Sequence, residues 1–70
     1  MIRQIVSSSN IRSIGYDNVN LILEIEFNSN SIYQYSNVIP SVYNALMSAN
    51  SKGTYFNSFI KDFFKCRQIR

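Results

Sequence analysis

Between Leu21 and Phe27 the stretch "LILEIEF" alternates in twos. Leu21, Leu23, Ile25 and Phe27 fall on one face, and Ile22, Glu24 and Glu26 on the other. That period predicts a strand of an antiparallel sheet with one face buried. Upstream, "IRSIGY" is rich in β-branched and aromatic residues and predicts another strand. Gly15 inside it marks a bulge or a close approach by other backbone. "DNVN" between the two is a turn, because Asp and Asn tolerate turn dihedrals and bond their own backbone. "NSNS" is a second turn. "IYQYSNV" then predicts a third strand, with Tyr33 and Tyr35 on one face and Ile32, Gln34 and Ser36 on the other. Three strands with short turns make an antiparallel meander.

After Pro40 the period lengthens. Proline suits the first turn of a helix, where its missing N–H is not needed. Val42, Ala45, Leu46 and Ala49 recur at threes and fours, with Tyr43 beside them, so a helix is expected to about Ala49. Asn50 and Ser51 stop it. Phe56, Phe59, Ile60 and Phe63 repeat the spacing and predict a second short helix with an aromatic buried face. "KCRQIR" is open between a loop and a final strand. Strands followed by helices give an α+β class: a small antiparallel three-stranded meander, with a fourth C-terminal strand left open, packed against two short helices.

Seventy residues make one domain, 1–70, with a thin core that needs large side chains or self-association to be stable. The five tyrosines and five phenylalanines supply such area, and a homo-oligomer would supply more. One cysteine excludes an internal disulfide, and without histidine the usual zinc ligand sets cannot be assembled. No cofactor is implied. The absence of histidine also removes the commonest general base. Glu24 and Glu26 share a face and read more plainly as cross-strand salt-bridge partners than as a catalytic pair. Cys66 lies between Lys65 and Arg67 but has no recognisable catalytic partner, so it reads as a passive thiol. A binder is therefore expected rather than an enzyme.

No apolar run is long enough to cross a membrane, and "MIRQIVSSSN" lacks the apolar core of a secretory signal, so a cytoplasmic protein is expected. The abundance of Asn, Ser, Ile and Tyr fits an AT-rich coding sequence, as in a low-GC bacterium or its phage. The net charge of +3 is concentrated at one end, where Lys61, Lys65, Arg67 and Arg70 face Asp62 alone. A basic end attracts anions, nucleic acid and nucleotides among them, although it also serves simply to solubilise.

Taken in order, "SSNIRSIGYD", "LEIEF", "YQY", "VIPSVYNALMSA", "SKGTYFNSFIKD" and "KCRQI" resemble the KTSC domain. This short module is named for its place at the C-terminus of some lysyl-tRNA synthetases, and is also found alone in bacterial and phage proteins. The resemblance runs from about Ser8 to Ile69. It implies no established general activity, and an RNA-binding role only through the association with a tRNA synthetase. "FFKCRQIR" stands where many relatives carry a Tyr-Pro-Tyr-like stretch, so no role of that pair carries over.

Candidate ligand-binding residues follow from chemistry. Tyr33 and Tyr35 would stack bases if displayed and would pack under the helices if not. Ser51, Lys52, Gly53 and Tyr55 open the second helix, where free backbone N–H groups and a lysine attract phosphate; an ordinary cap and turn is the plainer account. Lys61, Lys65 and Arg67 supply charge, and an arginine can grip phosphate with two bonds. Asn57 could read a base edge or bond a neighbouring loop. The expected partner is nucleic acid, RNA first. The alternatives are a homo-oligomer that sequesters a small cyclic nucleotide, and a structural or protein-interaction module.

Overall fold

In the computed structural model, which describes Met1 to Arg70, the alternating stretch is the central strand of a five-stranded sheet. The strands are β1 (Arg3–Ile5), β2 (Ile11–Asp17), β3 (Ile22–Phe27), β4 (Ile32–Tyr35) and β5 (Cys66–Gln68). They lie side by side in chain order, each antiparallel to the next. Helices α1 (Pro40–Ser48) and α2 (Lys52–Phe59) are inserted between β4 and β5. Their side chains Leu46 and Phe56, with Ile60 at the end of α2, join Ile11, Ile14, Leu23, Ile25, Tyr35 and Val38 in one buried core. The α+β meander over two short helices is thus as the sequence predicts; the C-terminal strand that it left open forms as β5, and β1 is added at the other edge. Neither helix is long and apolar enough to cross a membrane.

The local signals act as expected in most places. Asp17 Oδ1 accepts from the Val19 and Asn20 backbone N–H groups at 2.9 and 3.1 Å, which closes the first turn. Leu21 is part of that turn rather than of β3, at φ 58°, a left-handed conformation that costs a leucine energy. Pro40 starts α1. The bulge in β2 lies between Ile11 and Ser13, opposite Phe27 and Glu26. One extra residue there turns Ile11 into the core although Ser13 points the other way.

Two expectations about the helices are corrected. Ala45 is exposed on α1, and Met47 takes part in the packing instead. Phe59 and Phe63 are also exposed, at 58% and 69%, rather than part of a buried aromatic face. α2 ends at Phe59, so its repeat does not continue to Phe63, and within α2 the face of Phe56 turns to the core while Phe59 packs sideways on Tyr55. Ile60 at the helix end and Phe64 beyond it fill the core.

The face of the sheet turned away from the helices is polar yet largely closed. Glu24 and Glu26 on β3 are 5% and 9% exposed. Arg3 Nη1 on β1 donates to Glu24 Oε2 at 2.5 Å, crossing β2 at Gly15, its register partner. A Cβ at Gly15 would lie 3.0 Å from Arg3 Cγ and 3.2 Å from the Ile2 carbonyl oxygen. Gly15 therefore marks a close approach, and it lets the arginine lie flat. Ser13 Oγ donates to Glu26 Oε1 at 2.7 Å, and Arg70 Nη2 donates to Glu26 Oε2 at 2.9 Å. Arg12, swung out at the bulge, lies 3.8 Å from the same oxygen.

These partners set the carboxyl protonation. Burial pushes Glu24 up, but the Gln34 and Arg3 hydrogen bonds and the Arg3 charge hold it below its ordinary range. For Glu26 the Ser13 hydrogen bond leads and the three arginines add to it, against a burial effect of opposite sign; the result is again a lowered carboxyl.

Two outcomes follow. Depressed carboxyls contribute stability that is full above the unfolded glutamate value and is lost as pH falls through the native ones. The melting temperature should be flat down to about pH 5 and fall below about pH 4.3, the unfolded glutamate pKa. Thermal melts across that range check it, with Glu26→Gln expected to flatten the acid limb. Gly15→Val should destabilise the fold by about 1–3 kcal/mol in urea titration, because a branched side chain overpacks the site under Arg3. Unchanged stability would show that the close approach is unimportant.

Candidate nucleic-acid interface

On the helix side of the sheet, β4 and α2 leave a groove of about 390 Å³. Its walls are Phe27, Tyr33, Tyr35 and Phe56, and its polar groups are Asn10, Asn57, Lys61 and Asp62, with Cys66 at one side. Strand alternation explains the tyrosines: residues 33 and 35 share the face turned toward the helices. Tyr35 packs edge-on against Phe56 with centroids 5.3 Å apart, and is 4% exposed. Tyr33 meets Phe27 edge-on at 5.9 Å but is only partly buried. Its hydroxyl donates to Gln68 Oε1 on β5 at 3.2 Å. Tyr33 is therefore the aromatic that the groove displays, and Tyr35 belongs to the core.

The Tyr35 hydroxyl is pushed up to about 12, first by burial and then by the electrostatic effect of its neighbours Cys66, Tyr33 and Asp62. It stays a neutral O–H, able to donate to a ligand atom. Asn57 is exposed on the α2 side of the groove, and Lys61 follows it just past the helix.

The other candidates separate into two places. Lys65 and Arg67 border a second cavity of about 260 Å³, together with Ile22, Gln34, Ser36 and Cys66. Cys66 of the edge strand β5 lines both cavities, the aromatic groove on the helix face of the sheet and the basic pocket on the face that carries Gln34. Ser51, Lys52, Gly53 and Tyr55 line neither. Ser51 Oγ instead accepts from the Thr54 N–H at 3.3 Å and caps α2. Lys52 Nζ donates to the Ala49 carbonyl at 3.2 Å. Gly53 is buried, and a Cβ there would lie 2.5 Å from Asn10 Oδ1, so glycine serves close packing of the Asn10 loop. Tyr55 packs on Phe59 with ring centroids 4.8 Å apart.

Sequence reasoning did not single out Asn10, Phe27, Gln34 or Ser36. Gln34 was legible only as the polar residue between two tyrosines, and Asn10 only as the end of a polar run.

Comparison with known proteins identifies the family. The profile of the KTSC domain matches residues 7–64. An uncharacterised protein of Stutzerimonas stutzeri is 46% identical over 61 residues, which is 87% of this chain and 86% of that one. A lysine–tRNA ligase of Nostoc punctiforme is 46% identical over 59 residues, 84% of this chain but 10% of the ligase. The crystal structure of a KTSC domain protein from Yersinia pestis superposes with a TM-score of 0.96 at 49% identity, covering 99% of this chain and 97% of that one. The strand order, the two inserted helices and the sequence around them therefore lead to one conclusion: this chain belongs to the KTSC domain family.

Proposed function

We propose that this chain is a non-enzymatic module that binds nucleic acid, single-stranded RNA first. The observation that carries this reading is an aromatic groove and a basic pocket on either side of the edge strand β5, both lined by Cys66. A base enters the groove against Tyr33, where stacking is tolerant of sequence. Asn10, Asn57 and the Tyr35 hydroxyl offer hydrogen bonds to its edge. Lys61 on the groove, and Lys65 and Arg67 beyond Cys66, take the flanking phosphates. The relative within a lysine–tRNA ligase supports a role beside RNA by association. The N-terminus of α2 takes no part, since Ser51 caps it and Asn10 crowds Gly53.

A second reading, a homo-oligomer that sequesters a small nucleotide, draws support from β1. Ile5 on that edge strand and Ile2 just before it are exposed at 82% and 94%, an apolar edge suited to pairing with another copy.

Fluorescence anisotropy with a labelled single-stranded RNA at low salt tests the first reading. Tyr33→Ala should weaken binding about 5- to 150-fold, the worth of one stacked base, ~1–3 kcal/mol. The double variant Lys65→Ala/Arg67→Ala should weaken all sequences alike and lower the salt slope by about 0.7 for each phosphate no longer neutralised. Lys52→Ala should leave affinity unchanged. No binding by the wild type at low salt would exclude RNA. A discrete oligomer on light scattering, together with thermal stabilisation by mononucleotides, would then favour the second reading.

A further inference from the structure

Glu24, Gln34 and Arg67 stand opposite one another across β3, β4 and β5. They form a hydrogen-bonded row. Arg67 Nη2 donates to Gln34 Oε1 at 3.0 Å, and Gln34 Nε2 donates to Glu24 Oε1 at 2.8 Å. The amide is what makes the row work. An ionised carboxylate only accepts and a guanidinium only donates, whereas an amide offers one of each. A glutamate at 34 would repel Glu24, and a lysine would repel Arg67.

The row has a consequence for charge. Arg3 and Arg70 are each neutralised by a carboxylate at 2.5 and 2.9 Å. Arg67 is held by a neutral partner, and neither it nor Lys65 forms an ion pair within the chain. Both border the 260 Å³ pocket, where Ser36 adds a hydroxyl. A held but unneutralised guanidinium beside a cavity has already lost part of the freedom that binding an oxyanion would cost it.

We propose that this pocket is an oxyanion site for a phosphate group. Arg67 is its fork, Lys65 its point charge and Ser36 a further donor; Gln34 is a positioning residue that aims Arg67 without discharging it. The choice of phosphate over another oxyanion rests on the nucleic-acid reading. The phosphate comes either from a nucleic-acid backbone or from a free nucleotide.

Titration of ¹⁵N-labelled protein with inorganic phosphate, a 5′-mononucleotide and single-stranded RNA tests the site. The Arg67 Nε–Hε signal is expected to shift saturably with inorganic phosphate. Arg67→Lys keeps the charge but loses the fork, and should weaken phosphate roughly tenfold. Gln34→Met keeps a similar volume but frees Arg67, and should weaken phosphate while Lys65 still responds. Gln34→Glu should abolish the shift by discharging Arg67; if that variant does not fold, Gln34→Met and Arg67→Lys decide. Saturation by the mononucleotide as tight as by RNA identifies a free nucleotide as the source, and tighter RNA binding identifies the backbone. An Arg67 signal unmoved by phosphate overturns the site, even if RNA binds elsewhere. A folded Gln34→Met with wild-type phosphate affinity overturns the positioning role. An Arg67 shift with phosphate but no RNA binding overturns the nucleic-acid reading and leaves the site standing.

Discussion

Glu24 and Glu26 lie on the central strand and are all but closed off from water, so neither can stay ionised without partners. Their two close cationic partners come from the two ends of the chain, and a third lies on β2. Arg3 arrives on β1, Arg70 follows β5, and Arg12, exposed at the bulge of β2, stands 3.8 Å from Glu26. Most of the open face of the sheet depends on this requirement. The short edge strands, of three residues each, bury little apolar surface of their own. Their docking covers the carboxylates, and the carboxylates in turn give them a reason to dock.

The two faces of the sheet thus divide the labour. The helix side holds the apolar core and stacks its aromatics: Tyr16 lies on Tyr43 with centroids 4.5 Å apart, and the Tyr16 hydroxyl donates to the Val38 carbonyl at 2.5 Å. Where α2 ends early, the core thins and the groove beside Tyr33 remains. The far side holds the charge. Gln34 belongs to that charge network, yet it also sets the one arginine of the basic pocket. The stability of the sheet and the geometry of the proposed phosphate site therefore share a residue row.

Much of the fold was legible because its signals are local. The alternation of "LILEIEF", the Asx turn at Asp17 and Pro40 at a helix start each act within a few residues. β1 was not legible. "RQI" has no apolar period, and its determinant is Glu24, 21 positions away. β5 is exposed throughout, so no burial pattern marks it. Phe63 looked buried because spacing alone does not say where a helix stops, and Phe59 because spacing alone does not say how narrow the buried face of a short helix is. The candidate site was legible in part. Tyr33, Tyr35, Asn57 and Lys61 do line one groove. Lys65 and Arg67 were readable as cations, but their pocket depends on cross-strand register. The Ser51–Gly53 segment carries the composition of an anion site, and its groups are instead used within the fold.

Native-state amide exchange tests most directly whether the buried glutamates hold the edges of the sheet. In Glu24→Leu the amides of β1, and in Glu26→Leu those of β5, should exchange about tenfold faster or more, through local opening, while those of β2 to β4 keep their protection. Equal loss of protection across all five strands, or no loss at the edges, would contradict the account.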